Sequence, residues 1–187
     1  MGKWLIVYSS VTGNTKMVAE AMGKVVKEVD IFAVQEAPAD LSSYELILAG
    51  YWLRRGGPDP KMARFLAGIS NKVIALFQTH GAATGSEHAV TAFARAAALL
   101  GAGCTILGTF GCQGRIQPAL IERRQQAGPE DPHGNTAENI ARWESAASHP
   151  DEIDLLAAQA FVKALQRKLL LQGRIYSKSS YRSSINK

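Results

Sequence analysis

Ser9-Ser10-Val11-Thr12-Gly13-Asn14-Thr15 decides how this chain is read. The apolar run Lys3 to Tyr8 before it has the length of a strand, and Val18, Met22, Val25, Val26 and Val29 after it fall on one face of a helix. A strand that turns directly into a helix aims backbone N–H groups and the positive end of the helix dipole into the turn, where they suit an anion. The hydroxyls of Ser10, Thr12 and Thr15 and the amide of Asn14 add side-chain donors, and Gly13 permits a tight turn. A triphosphate loop would need a Gly-Lys-Ser/Thr ending, and a dinucleotide fingerprint would need three spaced glycines. Here Gly13 stands alone and Lys16 lies beyond the turn, so the loop suits a terminal monophosphate held by neutral donors. The plainer alternative is that Thr12 and Asn14 cap the helix, which requires only one such residue where the loop supplies five.

Outward from this loop, strand-length apolar runs alternate with segments of helical period. Strands are expected at Asp30 to Val34, Glu45 to Tyr51, Lys72 to Gln78 and Cys104 to Phe110, and helices at about 59 to 69 and 86 to 100. Continuous apolar runs are the mark of strands covered on both faces, which predicts a parallel sheet between helical layers. A last long helix should start near Pro150-Asp151, with Asp151, Glu152 and Asp154 at its positive end and Ile153, Leu156, Ala160 and Leu165 as its buried stripe. Between the fifth strand and that helix, residues 111 to 150 form a helical insertion, with helical character at Ile116 to Gln126 and Thr136 to Ala147. A single α/β domain over residues 1 to 171 is expected, followed by a basic tail at 172 to 187.

Ser10-Val11-Thr12-Gly13-Asn14-Thr15 resembles the phosphate loop of the flavodoxin family, Ser/Thr-x-Thr-Gly-x-Thr, at all six positions. The resemblance covers about residues 3 to 110 and resumes in the final helix. It implies a flavodoxin-like three-layer α/β/α sandwich, with a five-stranded parallel sheet of order 2-1-3-4-5 and FMN at the switch point between strands 1 and 3. The later phrases Gly111-Cys112-Gln113-Gly114 and His149-Pro150-Asp151-Glu152 resemble a subgroup of flavodoxin-like proteins encoded beside bacterial bilirubin reductase. That narrower resemblance implies a supply of electrons for reduction of a tetrapyrrole.

In such a sheet the ligand lies outside the carboxyl ends of the strands, so the loops after strands 3 and 4 should frame the flavin ring. The resemblance places an aromatic on the ring, here Trp52 or Tyr51, with Leu53 beside it. Gly56 and Gly57 would either let a carbonyl approach the flavin N5 or simply turn the chain before Pro58. Arg54 and Arg55 depart from the acidic surroundings usual in flavodoxins; they either approach ring or substrate, or form a solvated pair. After strand 4, Thr79, His80, Gly81 and Ala82 are assigned to the flavin shell, His80 being alternatively a locally bonded loop histidine. With Ser9, Ser10, Val11, Thr12, Gly13, Asn14 and Thr15, these residues make the candidate cofactor site. No catalytic residue is assigned, because the flavin would carry the redox chemistry.

Composition narrows the rest. A chain of 187 residues with 47% hydrophobic and 20% charged residues is neither disordered nor a disulfide scaffold. The net charge of +5 suggests nucleic acid until it is located: Arg174, Lys178, Arg182 and Lys187 lie in the final sixteen residues, which hold no acid. The body is close to neutral, and no nucleic-acid partner is expected. The apolar runs are too short for a membrane span, the start lacks a leader pattern, and Ile6 stands where myristoylation wants a hydroxyl, so a cytoplasmic location is expected. Cys104 and Cys112 do not have zinc or redox spacing and are read as structural, while His133 and His149 are too dispersed for a metal site. Trp143 is read as packing.

Three functions follow. The first is an FMN protein that passes electrons to a protein redox partner, a reductase. The second is an FMN-dependent oxidoreductase acting directly on a quinone or tetrapyrrole, favoured by the near-neutral body, since electron carriers usually present a charged docking face. The third is a scaffold that has lost flavin, which the intact loop opposes.

Overall fold

The computed structural model describes residues 2–185 except Thr84 and Pro129, with side chains described through Gln172. In chain order the elements are β1 (Lys3–Tyr8), α1 (Asn14–Gly23), β2 (Val29–Ala33), β3 (Tyr44–Arg54), β4 (Gly57–Pro58), α2 (Pro60–Ala67), β5 (Val73–His80), α3 (Glu87–Ala97), β6 (Thr105–Gln113), α4 (Pro118–Gln125), α5 (Ala137–Ala146) and α6 (Glu152–Ile185). Five strands pair in parallel in the order β2-β1-β3-β5-β6, the 2-1-3-4-5 arrangement expected. The short β4 folds back antiparallel onto the end of β3.

Successive residues of a strand point to opposite faces, and here both faces are apolar. Trp4, Ile6, Leu46, Leu48 and Phe77 meet Val18 and Met22 of α1 and Val162 and Leu165 of α6. On the other face, Leu5, Val7, Ile47, Tyr51 and Leu76 meet Met62 and Leu66 of α2 and Ala96 of α3. Double coverage is why the strand sequences read as continuous apolar runs rather than alternating ones. Gly50 is required in β3 because a Cβ there would enter the Phe77 ring.

Several expected boundaries move. The helix α1 stops at Gly23, which abuts Ile31, so Val25 and Val26 lie in the following turn and Val29 opens β2. The strand β3 runs on through Tyr51, Trp52 and Leu53 because the hairpin to β4 extends it. Gly111, Cys112 and Gln113 continue β6, so the insertion begins later than residue 111. Its two helices, α4 and α5, fall inside the expected segments. On α6 three of the four residues predicted for the buried stripe are exposed, Ile153 at 75%, Leu156 at 57% and Ala160, and Leu165 is the one that is buried. The covered stripe instead runs Leu155, Ala158, Val162, Leu165, Leu169, because that face of α6 packs on α1 and β6. The basic side chains predicted for the tail, Arg174, Lys178, Arg182 and Lys187, lie outside the described residues. None of the described helices is long and apolar enough to cross a membrane.

Candidate anion-binding site

The loop between β1 and α1 is anchored at its base, where the Ser9 N–H donates to Gly50 O at 2.8 Å. Gly13 has φ 87°, in the left-handed region, and is the N-cap of α1. No side chain caps this helix, so the Thr12 or Asn14 capping alternative does not describe it. The first helical hydrogen bond runs from Met17 N–H to Gly13 O at 2.9 Å. Among the described residues, the N–H groups of Ser10 to Lys16 find no acceptor in the chain. An uncapped helix start with converging donors is the arrangement that holds a phosphate. Ser10 Oγ adds a buried hydroxyl without a partner.

The expected site residues separate into two groups. Ser9, Ser10, Val11, Gly13 and Trp52 line one cavity of about 620 Å³, while Thr12 sits exposed at the loop tip. Asn14 and Thr15 are buried and committed elsewhere: Asn14 Nδ2 donates to Arg115 O at 2.9 Å, and Thr15 Oγ1 lies 2.9 Å from Thr79 Oγ1. Their side chains therefore do not line that cavity, contrary to expectation for Asn14 and Thr15 as side-chain donors. Thr79 belongs to the same buried pair. His80 is 5% exposed with Nδ1 2.9 Å from Ala82 O, and burial holds its pKa below the ordinary histidine value. Gly81 abuts Ile116 of the segment that follows β6. None of Thr79, His80, Gly81 and Ala82 lines the cavity.

Beyond the strand ends, Tyr51 is a correction. As the residue before Trp52 it points to the opposite face, where it is fully buried, edge-on to Phe93 at 6.4 Å, with its hydroxyl donating to Ala92 O at 3.4 Å. It is core and cannot stack on a ligand in the cavity. Trp52 faces the cavity, with the Arg54 guanidinium 6.0 Å from its ring centre. Leu53 pairs with Pro58. Arg55 and Gly56, at φ 50° and 79°, are the two central residues of the hairpin, with the positive φ pair that fits the right-handed twist of its strands. Gly56 is thus spent on the turn, packed under Arg95, whose Nη1 donates to Arg55 O at 3.2 Å.

Sequence reasoning passed over the other wall of the cavity. Asp59, Lys61 and Arg64 come from the start of α2, Lys16 from α1, and Gln35 from the turn after β2. Pro58-Asp59-Pro60 was the readable signal, an Asp cap followed by proline at the first helical position. Asp59 Oδ1 does cap α2, accepting from the N–H groups of Lys61 and Met62 at 3.0 and 3.4 Å. Elsewhere, Cys112 is buried and its thiol is pushed strongly up by desolvation, which leaves it an inert core residue. His149 is less isolated than expected: its Nδ1 lies 2.5 Å from Asp154 Oδ2, and at the start of α6 the carboxylates of Asp151 and Asp154 each accept from the other residue's backbone N–H.

A family model described as "Flavodoxin domain" matches residues 5–163. The chain belongs to the flavodoxin domain family. Among relatives of this flavodoxin-domain chain, a flavodoxin-like domain-containing protein BilS from Clostridioides difficile is 32% identical over 173 residues, covering 89% of this chain and 97% of its own length. A BilS protein from Clostridium symbiosum is 28% identical over 180 residues, covering 86% and 94%. Oxidised flavodoxin 2 from Bacillus cereus superposes with a TM-score of 0.54 at 21% identity, over 89% of this chain and 99% of that one. A flavoprotein from Lactobacillus acidophilus, solved in complex with FMN, gives 0.51 at 20% identity, over 59% and 93%. At such identities the structural likenesses establish the fold of the flavodoxin domain here.

Proposed function

We propose that this flavodoxin-domain chain binds FMN through its phosphate and carries electrons to a partner reductase, in the reduction of a tetrapyrrole. The single observation behind the reading is the uncapped start of α1, where unpaired N–H groups, the left-handed Gly13 and the buried Ser10 hydroxyl converge. These groups fit a phosphate monoester: all are neutral donors, and the helix dipole supplies the positive potential. Ser10 to Thr15 would hold the phosphate chiefly through the backbone, with Ser10 Oγ as a side-chain donor. Trp52 would stack on the ring, and the backbone of His80, Gly81 and Ala82 would frame its edge from the other side of the loop. Bound FMN supplies reversible uptake and release of one or two electrons, and the protein's share is to orient it and set its accessibility. No side chain needs to act as acid or base.

Reconstitution of the flavin-free protein with FMN, followed by flavin fluorescence quenching, tests this reading. Gly13→Val forces a β-branched residue into the left-handed region, a strain of about 1–3 kcal/mol, and should weaken FMN binding about 10- to 100-fold. Failure of the unaltered protein to bind FMN refutes the reading. Reduction of a bilin by the loaded chain alone, without a reductase, would replace carriage by direct catalysis.

A further inference from the structure

The helix α6 has two apolar faces, and only one of them is covered. Leu155, Ala158, Val162 and Leu165 pack on the sheet and α1, while Leu170 and Leu171, at 49% and 57% exposure, lie on its open side with Lys163 and Arg167. From Leu155 to Lys187 every charged residue is basic. Among the described residues Lys163, Arg167 and Lys168 form no ion pair, and of the three only Lys168 is engaged, its Nζ donating to Leu107 O at 2.9 Å. The helix continues to Ile185, and along its sequence Arg174, Lys178 and Arg182 follow Lys163 and Arg167 at helical spacing, which keeps all five positions within an arc of about 100°. Cations gathered on one face repel one another and stabilise nothing in the chain itself. This half of α6 also lies far from the β1–α1 loop. Gln166 Nε2 donates to Val25 O just beyond α1 at 3.1 Å, and Lys168 reaches the starting end of β6. Those contacts hold it at the end of the sheet where the parallel strands begin, whereas the loop lies where β1 ends.

We propose that the C-terminal half of α6 lies on an anionic lipid surface, with its cations against lipid phosphates and Leu170 and Leu171 seated at the boundary between headgroups and acyl chains. Charge selects this occupant. A folded protein partner is recognised through charges of both signs placed in register; a face of one sign with leucines among its cations matches a surface that is itself of one sign and fluid in its plane. Nucleic acid would take the cations and leave the two leucines in water. A second copy paired along the same half would set like charge against like. Near the start of α6, Ile153 and Leu156 are exposed as well, but they stand beside the exposed Glu152, which phosphates repel. The contact is peripheral, since no described helix is long and apolar enough to cross a membrane. It leaves open the end of the sheet that carries the β1–α1 loop and Trp52, so the inference is compatible with flavin binding and does not rest on it.

Co-sedimentation of the full chain with vesicles tests it, using about one-third phosphatidylglycerol in phosphatidylcholine against phosphatidylcholine alone, on flavin-free and FMN-treated protein. Binding should require phosphatidylglycerol and weaken steeply as salt is raised from about 0.05 to 0.3 M. Each cation close to such a surface changes affinity about fivefold. Lys163→Gln with Arg167→Gln should therefore weaken binding about 20- to 30-fold, and Arg174→Gln with Lys178→Gln and Arg182→Gln about 100-fold. Leu170→Asn with Leu171→Asn should weaken it about tenfold at unchanged charge. Lys163, Arg167, Leu170 and Leu171 are all exposed, so the thermal midpoint should stay in place in the first and last of these variants. Equal binding to phosphatidylcholine alone, or binding to neither vesicle, overturns the proposal. So does full binding by the leucine variant, which would assign the cations to a soluble polyanion such as nucleic acid or an acidic protein. Sedimentation velocity without lipid covers the remaining occupant: a dimer of the unaltered chain that the leucine variant dissociates gives this face to a second copy and overturns the proposal as well. Protein that binds the anionic vesicles but never takes up FMN upholds this inference while refuting the flavin reading.

Discussion

On one flank of the loop between β1 and α1 the polar side chains are closed on one another. Thr15 faces Thr79, Asn14 reaches Arg115 O, His80 turns back to Ala82 O, and Gly81 lies under Ile116. On the other flank, Ser10 Oγ and Asp59 Oδ2 have no partner, and Lys16, Arg54, Lys61 and Arg64 face a shared cavity. The first flank is joined to Arg115 and Ile116 after β6 and, through Arg115, to the chain that follows α5; the second is built from the hairpin after β3 and the start of α2. Polar groups that satisfy one another hold the loop in place, and polar groups left unsatisfied are free to meet a ligand.

That contrast breaks if the closed flank tolerates substitution as easily as an open surface. The largest effect is expected for Gly81→Leu, because a Cβ there already meets Ile116 Cδ1 and Cγ1 at 2.6 Å. Overpacking should cost about 3 kcal/mol, a drop of roughly 6–12 °C in thermal midpoint for a domain of this size, with partial rescue by adding Ile116→Ala. Calorimetric scans of the single and double variants decide it.

Thr15→Val should come next, at about 1–2 kcal/mol, because it leaves the buried Thr79 hydroxyl unmatched. Adding Thr79→Val should recover most of that loss, since removing both partners leaves no orphan. Urea denaturation of the four-member cycle would read the coupling; additive losses would show that the two hydroxyls do not act as a pair.

The smallest effect is a pH dependence at His80. Burial lowers its pKa in the folded protein, so the unfolded chain binds a proton more readily than the folded one. Its contribution to stability is complete above the ordinary histidine value of about 6.5 and is lost as the pH falls through the lowered folded value. His80→Gln should therefore flatten the fall in urea midpoint between pH 7.5 and pH 5. A profile that keeps its acid-side slope in the variant would assign the loss to other groups.

How far the site was readable differs between these flanks for physical reasons. Gly13 and Ser10 announce themselves locally, because a strand, a turn and a helix start are contiguous in sequence and need only neighbouring residues to form. Trp52 was readable as an aromatic at the strand end, where it lines the cavity, but Tyr51 beside it was not excluded until β3 was seen to continue through both and send them to opposite faces. Asn14 and Thr15 looked like ligand donors because their partners, Arg115 O and Thr79 Oγ1, lie 101 and 64 residues away. On α6 an acceptable helical stripe was assigned to the wrong side: Ile153, Leu156 and Ala160 satisfy the period as well as Leu155, Ala158 and Val162 do. Periodicity reports that a helix has an apolar face; which face is covered depends on where α1 and β6 stand.

The order of strands and helices and the tight turn from β1 into α1 were therefore determined by the amino-acid sequence itself, since hydrophobic period and turn chemistry act over a few residues. Only the tertiary structure decided which donors remain free and that Asp59 shares a cavity with Lys16, Arg54, Lys61 and Arg64. Those facts depend on side chains brought together across the sheet, and a hydrogen bond between distant residues leaves no trace in the local pattern of either.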